Sequence, residues 1–318
     1  MASRMTAYLI RRAIMLMVTL LVSSFVVFTG LSIAPGNPLA TLAGGRSLPP
    51  ESIQVLVERY NLDEPFFIRY AMWLGNAVQG DLGLSITLRQ DVSDLIASRA
   101  GTTIALIIYA TVIVLVVGVA FGLLAALRPG LVDSLVVIAT AVVVAVPPFV
   151  AAIALIGIFA VGLGWFPALG GGSGFWDGIR HLTLPAFALA AAAAATVARV
   201  TRTSVRRQLH LEHVQTAVSR GIPYATVVRR HALRNAAIPI STLAGMTVAS
   251  MIALSAVVER AFGLNGLGAY LVSAALSKDF AVVQGISLVL VTAFVLVNTL
   301  VDVGATMLDP RFQLGRRS

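Results

Sequence analysis

Apolar residues occur in long runs along this chain, and short polar segments rich in arginine separate the runs. A helix that crosses a membrane needs about 20 predominantly apolar residues. Five runs reach this length with almost no charge, at 13–34, 103–127, 132–163, 238–258 and 281–307. The pattern therefore predicts five membrane-spanning helices with little ambiguity.

A sixth span is predicted at 182–200, where the apolar character is weaker. Its centre is an uninterrupted run of alanines at 190–195. Alanine suits a span that is buried among other helices, because small side chains let backbones approach closely. The alternative is a buried helix of a soluble domain, which fits the neighbouring spans poorly. We therefore predict an all-α membrane protein with six transmembrane helices.

The composition supports a membrane protein. Hydrophobic residues make up 58% of the 318 residues and charged residues only 12%, whereas soluble domains are about 25% charged. The net charge of +9 would suit nucleic acid or a membrane surface, but the arginines flank apolar runs, which favours the membrane. The chain has no cysteine, so disulfides and thiolate metal sites are excluded.

The distribution of basic residues predicts the orientation. With six spans both termini lie on one side, and fifteen of the 23 basic residues lie on that side. Seven of the 14 acidic residues lie in 35–102, on the opposite side. Basic residues are enriched in cytoplasmic loops, so we expect both termini in the cytoplasm and the protein in a bacterial cytoplasmic membrane.

These spans divide the chain into segments. The first apolar run is longer than the core of a signal peptide, so we interpret it as an uncleaved span. The predicted segments are a cytoplasmic N-terminus (1–12), a first span (13–34), an extracytoplasmic segment with short helices (35–102), a five-span core (103–307) that includes a cytoplasmic loop (201–237), and a cytoplasmic tail (308–318).

The sequence shows no motif that would couple transport to an energy source. The phosphate-binding loop of nucleotide-driven pumps needs a glycine-rich turn followed by lysine and Ser or Thr, and the single lysine, Lys278, stands in no such turn. Ion-coupled carriers hold ionisable groups near mid-membrane. Asp302 and Arg199 lie instead near the inner ends of their spans. We therefore expect no catalytic residue, metal site or cofactor on this chain, and an energy source on a partner.

The cytoplasmic loop carries a predicted short helix at about 212–220. Glu212 suits its first turn because a negative charge interacts well with the helix dipole. Gly221 fits the left-handed position after a helix, and Pro223 prevents continuation. Val214, Ala217 and Val218 share one face, and His213, Thr216 and Arg220 share another. Periodicity alone leaves two interpretations open, docking into a partner protein or lying on anionic lipid.

The sequence QTAVSRG at 215–221 resembles the EAA loop of permeases of ATP-binding-cassette (ABC) importers. The usual Glu-Ala-Ala is Gln-Thr-Ala here, and the glycine is kept. The usual ending is replaced by HALRN at 231–235, which is similar to the dipeptide and oligopeptide branch. Other segments resemble the first permease of that branch: YLIRR at 8–12, PGNP at 35–38, LDEP at 62–65, GDLG at 80–83, GLG at 266–268 and LDPR at 308–311.

The resemblance covers nearly the whole chain and implies the type I importer fold. It also implies that the EAA loop docks on the ATPase, through His213, Gln215, Thr216, Ala217, Arg220 and Gly221. The implied partners are a second homologous permease, two ATP-binding subunits that hold ATP and Mg²⁺, and an extracytoplasmic substrate-binding lipoprotein. The expected cargo is di- or oligopeptides, with nickel or glutathione as alternatives. An ion-coupled carrier or a membrane scaffold is the alternative of another class.

Two features lie inside the predicted spans. Pro147 and Pro148 stand within 132–163, where proline removes a hydrogen bond and kinks a helix; such a kink shapes a transport pathway or a packing bend. Gly118 and Gly122 have the four-residue spacing that permits close helix packing. This spacing is common in spans and carries little functional information.

Overall fold

The structure, a computed structural model, describes residues 2–33 and 63–308. The part of the predicted segment 35–102 that precedes residue 63 and the predicted tail at 309–318 lie outside the described residues. In chain order the helices are α1 (Ala2–Ile33), α2 (Phe66–Val78), α3 (Val92–Leu127), α4 (Leu131–Ala145), α5 (Pro148–Gly162), α6 (Phe175–Leu209), α7 (Glu212–Ser219), α8 (Tyr224–Ala261), α9 (Leu267–Leu276) and α10 (Phe280–Leu308).

Five of these helices, α1, α3, α6, α8 and α10, are long and apolar enough to cross a membrane. The pair α4 and α5 also passes this test and makes a sixth span if the two count as one. Within the described residues only an isolated bridge, between Leu84 and Asp91, has strand-type pairing. An all-α membrane protein is therefore confirmed.

The span predicted at 132–163 is two helices that meet at 103°. Val146 and Pro147 both have extended backbone, with ψ angles of 119° and 146°. Each of them precedes a proline, which disfavours the helical conformation of the preceding residue. Pro148 then occupies the first turn of α5, where proline is tolerated. The double proline thus produces a sharp break in this span.

Several helices extend beyond the predicted apolar runs. α3 begins at Val92 instead of 103, and α6 covers Phe175–Leu209 instead of 182–200. The non-helical part of the predicted loop at 201–237 is short, because α8 begins at Tyr224. Hydropathy marks only the apolar part of a helix, whereas backbone hydrogen bonds continue through polar residues.

The described chain forms two compact units, and the division falls within α3 and α10. The first unit comprises residues up to 101 together with 265–295. In it, aromatic side chains of α1 and α2 pack together, with Phe28 5.5 Å from both Tyr70 and Trp73 between ring centroids. The hydroxyls of Ser24 and Tyr70 are 2.8 Å apart. A small apolar core around Val92 and Ile286 joins α3, α9 and α10.

A buried carboxylate organises the loop before α3 in the first unit. Asp279 is only 1% exposed and immediately precedes α10. It accepts hydrogen bonds from Ser85 Oγ at 2.6 Å and from the backbone N–H groups of Ile86 (3.3 Å) and Thr87 (3.0 Å). Ser85 Oγ also accepts from the N–H of Leu88 at 3.0 Å. These bonds fix the turn at 85–88 against the start of α10.

The second unit comprises residues 102–264 and the last part of the chain. Its core is built around α6, whose alanines at 186, 188 and 190 are almost fully buried. Gly118 and Gly122 of α3 lie against this helix. A Cβ atom on Gly122 would stand 2.5 Å from both the Ala198 carbonyl oxygen and Thr201 Cβ. The two helices can approach this closely only because α3 has no side chain at that point.

A large part of the apolar surface of this unit is exposed. Ile108 and Val116 of α3, Ile138 of α4 and Ile153 of α5 each have more than half of their surface accessible. Transferring such side chains from water into an apolar medium is favourable by about 1.5–3 kcal/mol each. This surface is suited to lipid or to another membrane subunit.

Candidate functional site

The loop between α6 and α8 forms a short helix, α7, with defined ends. Glu212 stands in its first turn, as a carboxylate near the positive end of a helix dipole. After the helix, Gly221 has φ of +78°. The N–H of Gly221 donates to the Val218 carbonyl at 2.9 Å and that of Ile222 to the Ala217 carbonyl at 3.2 Å. This is the Schellman pattern, which satisfies the last carbonyls of a helix and favours glycine.

One face of α7 packs inward. Val214 is 1% exposed and Ala217 is 7% exposed, and both contact the buried Val227 of α8. Leu209 and Ile222 pack against the same cluster. The loop is therefore a small folded unit held by its own apolar core. Ala217, a predicted docking residue, belongs to this core and has almost no surface to offer a partner.

The remaining predicted docking residues lie on the outside of the loop. Gln215, Thr216, Arg220 and Gly221 are exposed, and the Thr216 hydroxyl donates to the Glu212 carbonyl at 2.8 Å. His213 lies within α7, but its side chain is outside what the structure describes. Four of the six predicted residues are thus accessible on α7 and the turn that follows it.

Three exposed apolar side chains on this loop are not among the docking residues predicted from the sequence. Leu211 is 39% exposed, Val218 is 49% exposed and Tyr224 is 55% exposed. Leu211, Gln215 and Val218 follow one another at helical spacing and share a face of α7. The sequence pattern grouped Val218 with the inward residues Val214 and Ala217. We call the accessible surface of Leu211, Gln215, Val218 and Tyr224 the docking face, after the docking that the sequence predicts for this loop.

Arginines of α6 connect the docking loop to the membrane core. Both Arg202 and Arg206 pair with Asp133 of α4, and the Arg206 Nη2 atom is 2.9 Å from Asp133 Oδ2. Arg206 also donates to the Ala125 carbonyl of α3 at 3.0 Å. One turn back, Arg199 donates to the Thr140 carbonyl at 3.1 Å. The C-terminal end of α6, which leads into α7, is therefore joined to both α3 and α4.

Another polar contact lies deep in the second unit. Glu259, near the end of α8, is fully buried and accepts a 2.7 Å hydrogen bond from the Thr103 hydroxyl of α3. This residue directly follows the fifth span predicted at 238–258, and it is not among the predicted site residues. A glutamate that follows a long apolar run is easily assigned to a solvated end, and only the packing of α3 and α8 shows its burial.

Pro147 is exposed and Pro148 is half-buried at the bend between α4 and α5. Their backbone produces the bend, as described above. A part in the transport pathway stays a prediction for both residues.

Comparison with known proteins identifies the family. Residues 118–314 match the model of the binding-protein-dependent transport system inner membrane component, and residues 5–107 match the model of the N-terminal part of such membrane components. The chain belongs to this family. It is a multi-pass inner-membrane protein and a permease subunit of an ABC importer.

Individual relatives align with this permease over nearly their whole length. The oligopeptide transport system permease protein AppB of Bacillus subtilis is 34% identical over 316 residues, covering 97% of this chain and 100% of the relative. A putative peptide transport system permease protein of Brucella abortus is 36% identical over 312 residues, covering 96% and 99%. The glutathione transport system permease protein GsiC of Escherichia coli K12 is 36% identical over 307 residues, covering 96% and 98%.

Proposed function

We propose that this permease imports short peptides and forms one half of the translocation pathway. The proposed cargo rests on the relatives of this chain. They align with it end to end and are described as oligopeptide, peptide and glutathione permeases. Glutathione is itself a tripeptide, so these cargoes share one chemical class. A second, homologous permease subunit would supply the other half of the pathway, and a substrate-binding lipoprotein would deliver the peptide from outside.

The docking face is the proposed contact with the ATP-binding subunits. It joins three exposed apolar side chains, Leu211, Val218 and Tyr224, with the polar side chain of Gln215. Buried apolar anchors surrounded by polar groups are typical of protein interfaces. ATP and Mg²⁺ would be held by the partner, and this chain would carry no cofactor of its own.

Force would pass from the docking face to the spans through covalent and ionic connections. α7 follows α6 after two residues, and Asp133 holds the Arg202 and Arg206 side chains of α6. A movement of α7 would therefore be transmitted to α4 as well as to α6. The proposed orientation places this loop and both chain ends in the cytoplasm.

Purification from the native membrane tests the assignment. The intact chain is expected to bring with it an ATP-binding subunit and a second permease, and the complex in liposomes is expected to import a tripeptide only with ATP inside. Uptake driven by a proton gradient without ATP would support the carrier alternative, for which the buried Glu259 would be the candidate ionisable group.

The substitution Val218→Asp is expected to weaken docking strongly while leaving the fold intact. Val218 is 49% exposed, so a carboxylate there remains hydrated in the free permease, but it would be desolvated against an apolar partner surface. We expect affinity for the ATP-binding subunit to fall by about tenfold or more. Binding of the purified subunits measured by surface plasmon resonance checks this.

Val214→Asp is the matched comparison. Val214 is 1% exposed and lies in the core of the loop, so this carboxylate is expected to weaken docking and also to increase proteolysis of the loop. If Val218→Asp leaves subunit affinity and ATP-driven uptake unchanged, the docking face is wrongly assigned.

A further inference from the structure

We infer that the first unit holds an extracytoplasmic binding site for the charged ends of a short peptide. The inference rests on the proposed function for the chemical class of its ligand. Its own basis is an open cavity of about 580 Å³ formed by the loop before α3, the first turns of α3 and the residue Asn265 before α9. This volume lies within the 300–1,000 Å³ range that is typical of small-molecule sites.

The cavity is lined by charges of both signs. Arg89, Asp91, Asp94 and Arg99 contribute two positive and two negative side chains, and Gln90 adds an amide. None of the four charged groups forms an ion pair within 4.0 Å of another described residue. The cavity therefore carries no net formal charge, but it offers separate partners for a carboxylate and for an ammonium group.

Arg99 is the anchored member of this set. Its guanidinium carbon lies 4.0 Å from the ring centroid of Tyr270, and Nη1 donates to the Leu95 carbonyl at 3.0 Å and to Ser98 Oγ at 3.1 Å. Its Nε–H is buried and has no hydrogen-bond partner in the described structure. Stacking on an aromatic ring fixes the plane of an arginine. The side chain is thus held in place; the buried Nε–H is closed to a ligand, whereas Nη2 takes part in neither of the two hydrogen bonds given above.

Tyr270 does not contribute a charge to this site. Burial raises the pKa of its hydroxyl above the ordinary value of 10.0, and this outweighs the opposite influence of Ser85 and Arg99. The phenol therefore stays neutral at physiological pH and serves as a stacking surface. The charge of the cavity is set by the two arginines and the two aspartates.

The opposite wall of the cavity is also ordered. The N–H of Arg89 donates to the Ser85 carbonyl at 3.0 Å, and the N–H of Ser85 donates to the Gln90 carbonyl at 2.9 Å. Asp279 fixes the same turn through its bonds to Ser85 and Thr87. This network places the backbone of Arg89 and Asp91 at defined positions. Arg99 and the backbone of this turn are therefore preorganised, which lowers part of the entropic cost of binding.

A free peptide matches this arrangement. Its carboxylate can accept charge-assisted hydrogen bonds from Arg99 and Arg89, since arginine pairs with carboxylates in a planar, two-bond geometry. Its ammonium group can donate to Asp91 and Asp94. A peptide with one end blocked would leave one pair of side chains without a partner. The site would thus select peptides whose two ends are both free.

The test is direct binding to the purified full chain in nanodiscs. Isotope-labelled dialanine is the probe, and saturation-transfer NMR and equilibrium dialysis measure its binding. We expect saturable binding, with about tenfold weaker affinity for N-acetyl-dialanine, for dialanine amide, and for the variants Arg99→Gln and Asp94→Asn. Asp63→Asn and Arg69→Gln, which lie outside the cavity, are the control variants and are expected to bind normally.

Each outcome decides the proposal. Thermal unfolding of each variant checks that it is folded. If Arg99→Gln does not fold, Asp94→Asn decides the test, because Asp94 is exposed and its substitution should not disturb the fold. If dialanine and its blocked forms bind equally, or if none of them binds, the charges are only solvated and the inference is overturned. It is also overturned if the variants weaken attachment of the substrate-binding lipoprotein without changing dialanine binding. ATP-driven peptide uptake by the intact complex would in either case leave the proposed function standing.

Discussion

Gly122→Ala is expected to destabilise the permease by about 2–3 kcal/mol, although alanine normally favours a helix over glycine. The added Cβ atom would stand 2.5 Å from the Ala198 carbonyl oxygen and from Thr201 Cβ. The Ala198 oxygen is a backbone atom of α6 and the Thr201 Cβ is bonded directly to that backbone, so neither atom can rotate away. α3 and α6 would have to separate, and the contacts beside Gly122 would be lost.

Gly101→Ala provides the matched control on the same helix. Gly101 also lies in α3, but a Cβ atom there would meet nothing within 4 Å. Alanine is expected to be neutral at this position or stabilising by up to about 1 kcal/mol. Thermal unfolding of both variants in the same detergent, followed by circular dichroism, measures the difference. Equal midpoints for the two variants would contradict the close approach of α3 and α6.

Asp279→Ala is expected to be the most damaging change in the first unit, with a loss of about 3 kcal/mol. The carboxylate is buried and accepts hydrogen bonds from Ser85, Ile86 and Thr87. Alanine would leave all three donors without this partner, and a buried donor that loses its acceptor costs more than the bond itself contributed. The turn at 85–88 would lose its attachment to the start of α10.

Asp81→Ala is the control for this prediction. Asp81 is exposed in the same loop and accepts a hydrogen bond from the N–H of Gly83 at 2.9 Å. Its loss is expected to cost less than about 1 kcal/mol, because water can replace the carboxylate. Hydrogen exchange of residues 85–88 measures the local effect: it should accelerate in Asp279→Ala and change little in Asp81→Ala. Unchanged exchange in Asp279→Ala would show that Asp279 does not hold the turn.

The sequence determined the membrane class of this protein. Its apolar runs are long and nearly free of charge, and only a helix can satisfy the backbone of such a segment inside lipid without a closed barrel. The local rules were equally readable at α7, where Glu212, Gly221 and Pro223 delimit a short helix that the structure places at Glu212–Ser219. These features depend on neighbours within a few residues, which a single sequence shows directly.

Tertiary structure decided which side chains are available for function. Ala217 and Val218 are adjacent and similarly apolar, yet one is buried against Val227 and the other is half exposed. Helical periodicity places Val214, Ala217 and Val218 on one apolar stripe of α7, and only the packing of the loop shows that Val218 lies at the open edge of this stripe. The docking role of these residues stays a prediction, and the fold adds which of their side chains are accessible.

Long-range pairs were also invisible in the sequence. Asp133 meets Arg202, Ser85 meets Asp279, and Gly122 meets Thr201 only after the helices have packed. A charged residue beside an apolar run has the same local pattern whether it is solvated or paired across 69 residues. The sequence by itself determined the spans and the family resemblance. Helix packing decided the charge pairs and the cavity walls, because the residues that form them are distant in the chain and local spacing cannot predict which of them meet.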